Sequence, residues 1–116
     1  MRTIVFKGKT HKIFTYNSEF CNQDVILVES EYMAGGLAIT MMCVDDGVVT
    51  EPYSTLTVCL GPMDKSDNAA FVDTNNNSKA ESFIKKNRLG KDTGRQASSG
   101  YCVYPLYEFF TGKFHE

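Results

Sequence analysis

Short runs of β-branched and aromatic residues, each ended by a break rich in glycine, asparagine or aspartate, set the architecture open to this chain. Residues 3–7 and 11–16 flank Gly8-Lys9. Residues 25–32 lead through Gly35-Gly36 into 37–44, and Asp45-Asp46-Gly47 precedes the run 53–60. Runs of this length and punctuation favour strands joined by tight reversals, with glycine supplying the positive φ that a reversal needs. Within 53–60, Ser54, Leu56, Val58 and Leu60 share one face. Pro52 has no amide to donate, so pairing is expected to begin after it, which makes 37–60 a hairpin with a broad tip closed by Gly61-Pro62. The last strand is expected over 101–110, where Pro105 calls for an edge position or a bulge.

A single helix interrupts this pattern. Ser78-Lys79-Ala80-Glu81 has the form of a capping box, in which the serine oxygen accepts from the amide three residues on and Glu81 reaches back. Ala80, Phe83 and Ile84, with Asn87, fall on one face, and Gly90 stands where a left-handed C-terminal cap belongs. A helix over 78–88 is too short to persist without packing. The expected fold is α+β: an antiparallel sheet of five to six strands with this one short helix packed on it. With 116 residues, 42% of them hydrophobic, one domain over 1–116 can bury a core of its own.

The apolar run 4–6 is too short for a signal-peptide core, and no stretch of about 18 apolar residues could span a bilayer. A cytosolic protein with no membrane contact is expected. Cys21, Cys43, Cys59 and Cys102 contain no Cys-x-x-Cys pair and read as free thiols.

Charge is segregated behind a formal net charge of -2. Between Lys12 and Lys65 there is no lysine or arginine, yet Glu19, Asp24, Glu29, Glu31, Asp45, Asp46, Glu51 and Asp64 lie there. Lys79, Lys85, Lys86, Arg88, Lys91 and Arg95 follow within the helix and the segment after it. A solvated sheet face accounts for acidic residues, but ordinary soluble faces mix both signs. The sharper expectation is an electrically two-faced domain whose acidic residues Glu29, Glu31, Asp45, Asp46 and Glu51 meet a basic partner, with the hairpin tip foremost. The basic segment 79–95 could instead contact phosphates through Lys85, Lys86, Arg88, Lys91 and Arg95. Its one aromatic, Phe83, is needed by the helix core, which leaves no stacking platform for single strands.

Motifs for chemistry are sparse. Asp73-Thr74-Asn75-Asn76-Asn77 copies half of a calcium loop, but Ser78 holds the glycine position and Ile84 the bidentate carboxylate position, so a turn feeding the helix is expected instead. Gly90-Lys91-Asp92 lacks both the earlier glycine and the hydroxyl of a phosphate loop. Asn76-Asn77-Ser78 fits a glycosylation acceptor, idle without a secretory signal. His11 reads as a surface or edge-strand residue, and His11 with scattered cysteines gives neither a zinc ligand set nor an activated nucleophile. No cofactor, metal or catalytic residue is expected.

Several segments carry a family resemblance. Ala70-Phe71-Val72-Asp73-Thr74-Asn75-Asn76, Phe83-Ile84, Leu89-Gly90-Lys91, Thr93-Gly94-Arg95, Ser99-Gly100-Tyr101 and Tyr104-Pro105-Leu106-Tyr107-Glu108-Phe109 resemble a family of small bacterial proteins, domain of unknown function 4313. Gly36-Leu37-Ala38-Ile39 and Glu51-Pro52-Tyr53-Ser54-Thr55-Leu56-Thr57-Val58 resemble its middle segment. Cys59 stands where the family pattern has asparagine, and 44–51 is longer than its turn, so no role is transferred there. The resemblance implies a phage or mobile-element accessory protein with no catalytic residues to carry over. Such proteins often disable a host defence complex, so the leading expectation is a non-enzymatic inhibitor of anti-defence or anti-CRISPR type. Its partner would be a protein, such as a host defence nuclease complex, and a nucleic-acid-binding accessory protein is the alternative.

Overall fold

The computed structural model describes residues 2–61 and 68–116. Pro62, Asp64 and Lys65, used above to mark a strand end and the acidic stretch, lie outside the described residues. Among the described residues, ten strands form three antiparallel sheets, in place of the single sheet of five to six strands expected, and one α-helix and a terminal 3₁₀ turn accompany them. The α+β class holds.

The first sheet is the hairpin of β1 (Thr3–Phe6) and β2 (Lys9–Lys12). Its reversal is Lys7-Gly8, both at positive φ (51° and 79°), the left-handed pair that matches the twist of flanking strands. The expected run 11–16 is broken at Ile13, whose amide bonds the Arg2 carbonyl (2.9 Å). Beyond the break, β3 (Phe14–Asn17) enters a second sheet in the order β3, β4 (Asn22–Glu31), β5 (Leu37–Asp45), β6 (Val48–Thr55). Asp46 (φ 51°) and Gly47 (φ 75°) turn β5 tightly into β6. The hairpin tip is therefore two residues, and pairing starts at Val48 rather than after Pro52. Pro52 faces Met42 between two register shifts of an edge strand, where a missing donor leaves no gap in the ladder.

The run 53–60 also changes sheets. At Leu56, fully buried, the chain leaves β6 and begins β7 (Thr57–Val58) of the third sheet, ordered β7, β8 (Ala69–Val72), β10 (Cys102–Phe109), β9 (Gly90–Ser99). Leu56 and Thr57 are both buried, so the alternation expected there does not hold. Pro105 lies at the register shift of β10 against β9, the bulge that its missing amide demands.

Helix α1 (Ala80–Lys86) buries Ala80, Phe83 and Ile84. The capping box does not form: no side chain caps the first turn, Ser78 Oγ reaches Glu19 (3.5 Å), and Glu81 accepts from the Tyr107 hydroxyl (2.8 Å). The helix is entered instead from the Asp73 turn. Asp73 accepts from the Asn76 amide (3.2 Å) and side chain (2.8 Å), and buried Asn77 donates to the Thr55 carbonyl (2.9 Å). At the other end Arg88, at φ 54°, replaces the glycine cap expected at Gly90. Leu89 and Arg88 amides return to the carbonyls of Ile84 (3.0 Å) and Lys85 (3.2 Å), a Schellman closure.

The core lies where these layers meet. Val25, Leu27, Ile39 and Met41 of the second sheet, Val72, Tyr107 and Phe109 of the third, Phe83 and Ile84 of α1 and Phe114 of the terminal 3₁₀ turn (Thr111–Phe114) form one buried cluster.

Candidate functional site

The acidic residues fall into two groups. Asp45, Asp46 and Glu51 gather at the β5–β6 tip, all exposed, with Val48 58% exposed beside them. Asp45 accepts from Gln23 Nε2 (3.2 Å) and Thr50 Oγ1 (3.0 Å), neutral donors that leave its charge uncompensated at the tip. Glu29 and Glu31 sit at the far end of β4, opposite Ile39 and Leu37. Asp45 lies six residues along β5 from Ile39, about 20 Å of strand. Asp24 is nearer the tip, but the Arg2 guanidinium and Thr15 hydroxyl bond it and hold its carboxyl below the usual carboxylate range.

The basic residues also divide. Lys86 and Arg88, with Arg2, line a groove of about 450 Å³ between α1 and the start of β3. Lys79 and Lys86 line an adjoining one of about 280 Å³, and Thr15 is common to both. Lys85 is exposed on α1. Lys91 and Arg95 lie on β9, an edge strand exposed from Lys91 to Gln96.

A third cluster escaped sequence reasoning. His11 is buried (3% exposed), not a surface residue, and its backbone bridges that of His115. His115 Nε2 bonds Glu29 Oε1. Since a carboxylate only accepts, that nitrogen carries the proton. With Phe6, Lys7 and Lys9 these residues line a cavity of about 270 Å³ beneath the β1–β2 hairpin. Burial, then the neighbouring His115, pushes the His11 imidazole below its ordinary value, which keeps it neutral. No spacing signal could have found the cluster, because its members come from opposite ends of the chain.

Cys21, Cys43, Cys59 and Cys102 are the four cysteines of the chain. All four are free, Cys21 and Cys59 exposed and Cys43 buried, its thiol pushed up by that burial and by Asp45. Among the described residues, no group of three or more His, Cys, Asp or Glu side chains is placed to hold a metal ion, and no helix is long and apolar enough to cross a membrane.

Among the described residues, three antiparallel sheets and one short helix put the chain in the α+β class. The family model for a domain of unknown function, DUF4313, matches residues 17–116, and the chain belongs to that family. Neither the curated proteins nor the solved structures give a match.

Proposed function

We propose that this chain is a non-enzymatic binding protein, an accessory of a phage or mobile element that captures a basic host protein through the acidic tip of the β5–β6 hairpin. The observation that carries this reading is the gathering of Asp45, Asp46 and Glu51 around exposed Val48 on a tight turn. A projecting apolar residue rimmed by carboxylates suits a partner surface of lysine and arginine: the charges steer the encounter and the apolar contact adds area removed from water. A nucleic-acid channel of a host defence nuclease has that character, which gives the anti-defence or anti-CRISPR reading its physical form.

Glu29 bonds His115, so its reversal would disturb the fold as well as the charge. The test is therefore the triple variant Asp45→Lys, Asp46→Lys, Glu51→Lys, compared with the parent chain in pull-downs from the host. Expected are loss of the captured partner and an unchanged circular dichroism spectrum and melting temperature. Equal capture by the folded triple variant would sink the charge mechanism.

The paired grooves beside α1 favour a second reading, phosphate contact through Lys79, Lys86 and Arg88. Binding of that kind weakens steeply with salt, because each neutralised phosphate releases counterions. A gel shift with duplex and single-stranded DNA and RNA at low salt, lost on replacing Lys86 and Arg88 by glutamine, is its expected result. No shift at any salt removes it.

A further inference from the structure

The basic segment 79–95 buries its one ring, Phe83, but the fold sets other rings beside it. A cavity of about 250 Å³ lies between the β3–β4 turn, β6 and the entry to α1, lined by Phe20, Tyr53 and Tyr16 with Ser54, Asn76 and Ser78. Ser18 lines both this cavity and the groove of about 280 Å³ that holds Lys79 and Lys86. Thr15 and Lys86 in turn join that groove to the one of about 450 Å³ at Arg88. The three concavities therefore form one track, with rings at one end and cations along the rest.

The ring end is held ready. Phe20 is 93% exposed, and its backbone is pinned: the Ser18 hydroxyl accepts from the amides of Phe20 (3.2 Å) and Cys21 (3.1 Å), and the Ser18 amide reaches the Cys21 carbonyl (2.9 Å). A ring shown from a pinned turn loses little freedom when a flat ligand lies on it. Tyr53 is half-buried and braced from within, its centroid 5.6 Å from that of Tyr16, which is 5.1 Å from Phe83. The cations are uncompensated. Among the described residues Arg2 pairs with Asp24, whereas Lys79, Lys86 and Arg88 enter no ion pair. Glu19 is the one carboxylate lining the three concavities, and it stands at the ring end, where it accepts from the Ser78 hydroxyl (3.5 Å). A carboxylate there suits the amino group of a base, and it stays off the part of the track where phosphates would lie.

We propose that this track binds single-stranded nucleic acid, with a base stacked on Phe20 and Tyr53 and the adjoining phosphates on Lys79, Lys86 and Arg88. The site rests on the phosphate contact proposed for the same grooves and adds the rings that select a single strand. In a duplex the base faces cover one another, and only unpaired bases offer a face to a protein ring. A basic groove that tracks the backbone, joined to aromatic platforms, is the combination by which single strands are held without regard to sequence.

Fluorescence anisotropy of the full chain with a labelled strand of about 10 nucleotides, within the range of about 4–16 that a single-strand fold covers, tests this. DNA and RNA share the chemistry, and binding of either supports the site. Expected are tighter binding of the single strand than of the same sequence as duplex, and affinity that falls as salt rises. Phe20→Ala, at an exposed turn position outside the core, weakens the single strand by about 5- to 150-fold and leaves the salt slope unchanged. Lys86→Gln with Arg88→Gln lowers that slope by about 1.4. A strand of the same length without bases keeps its phosphates and binds the parent more weakly than the intact strand. Failure of every strand, single and duplex, at low salt overturns the phosphate contact and the stacking site together. Equal affinity for strands with and without bases, equal affinity for duplex, or undiminished binding by Phe20→Ala overturns the stacking site and leaves the phosphate contact standing.

Discussion

Arg88 and Gly90 exchange the places that helix-cap chemistry would give them, and the two positions answer to different constraints. Arg88 holds the left-handed φ of 54° that closes α1, a conformation costing a non-glycine residue about 1 kcal/mol. Gly90 has no such φ, but a Cβ there would lie 2.8 Å from the Glu108 carbonyl oxygen on β10. Arg88→Gly is therefore expected to leave stability unchanged or raise it by up to about 1 kcal/mol, while Gly90→Ala lowers it by about 1–3 kcal/mol. Urea unfolding of both variants checks this, and a stable Gly90→Ala protein would refute the close approach. His11 gives the residue scale its pH dependence. Its folded-state value is depressed by burial and by His115, with Lys9 acting in the same sense. Lys7 and the carboxylate of Glu29 line the same cavity. The unfolded chain thus binds more protons below the ordinary imidazole value of 6.5. The His11 contribution is complete above about pH 6.5 and declines as pH falls toward the folded-state value, at no more than about 1.4 kcal/mol per unit. Stability measured by denaturant from pH 8 to 5 should fall in this way for the parent and more shallowly for His11→Asn.

At the scale of elements, strands whose apolar runs end in turn residues were legible, whereas β8 and β9 were not. β5 was found to within one residue and the apolar run of β4 was found although the strand starts three residues earlier, at Asn22, because these runs are separated by turn residues that keep their turns. β9, Gly-Lys-Asp-Thr-Gly-Arg-Gln-Ala-Ser-Ser, has exposed side chains on both faces for most of its length, so it carries no alternation to read. β8 is four residues long. Where one apolar run serves two sheets, at Ile13 and at Leu56, the sequence pattern continues while the hydrogen-bonding partners change. The turn between Asp73 and Asn77 was legible, since short polar side chains bonding their own backbone leave a compositional trace. The capping box was not, because Glu81 finds a better partner in Tyr107, far along the chain. The open edge of β9 carries its own prediction. Thr93 Oγ1 donates to the Leu106 carbonyl on β10 (2.8 Å), while Asp92 Oδ1 takes the Gly94 amide (2.9 Å), so a side chain occupies a donor that a second strand could use. Edge strands without such protection pair with other copies. Replacing Asp92 by alanine is expected to cause concentration-dependent self-association in light scattering, and a strictly monodisperse variant at the parent's mass would count against the protective role.

For the molecule as a whole, the three sheets cohere through residues that lie between them. Leu56 is buried at the passage from the second sheet to the third, and Asn77 fastens the helix entry back to β6. The terminal 3₁₀ turn brings Phe114, fully buried, into the same cluster as Leu27, Ile39 and Phe109. The charges follow this construction. The acidic tip and the basic groove border the same second sheet, at β5–β6 and at β3 beside α1. If Phe114 is a true part of the core, Phe114→Ala loses transfer energy and opens a cavity among residues that cannot all relax, a cost of about 3–5 kcal/mol. The loss should appear in a single unfolding transition seen alike by circular dichroism and tyrosine fluorescence, because the cluster spans both large sheets. A cost below about 1 kcal/mol, or loss of the tail's signals alone with the sheets unaffected, would show the C-terminal segment to be an appendage. It would also remove the scaffold that holds His115 against His11.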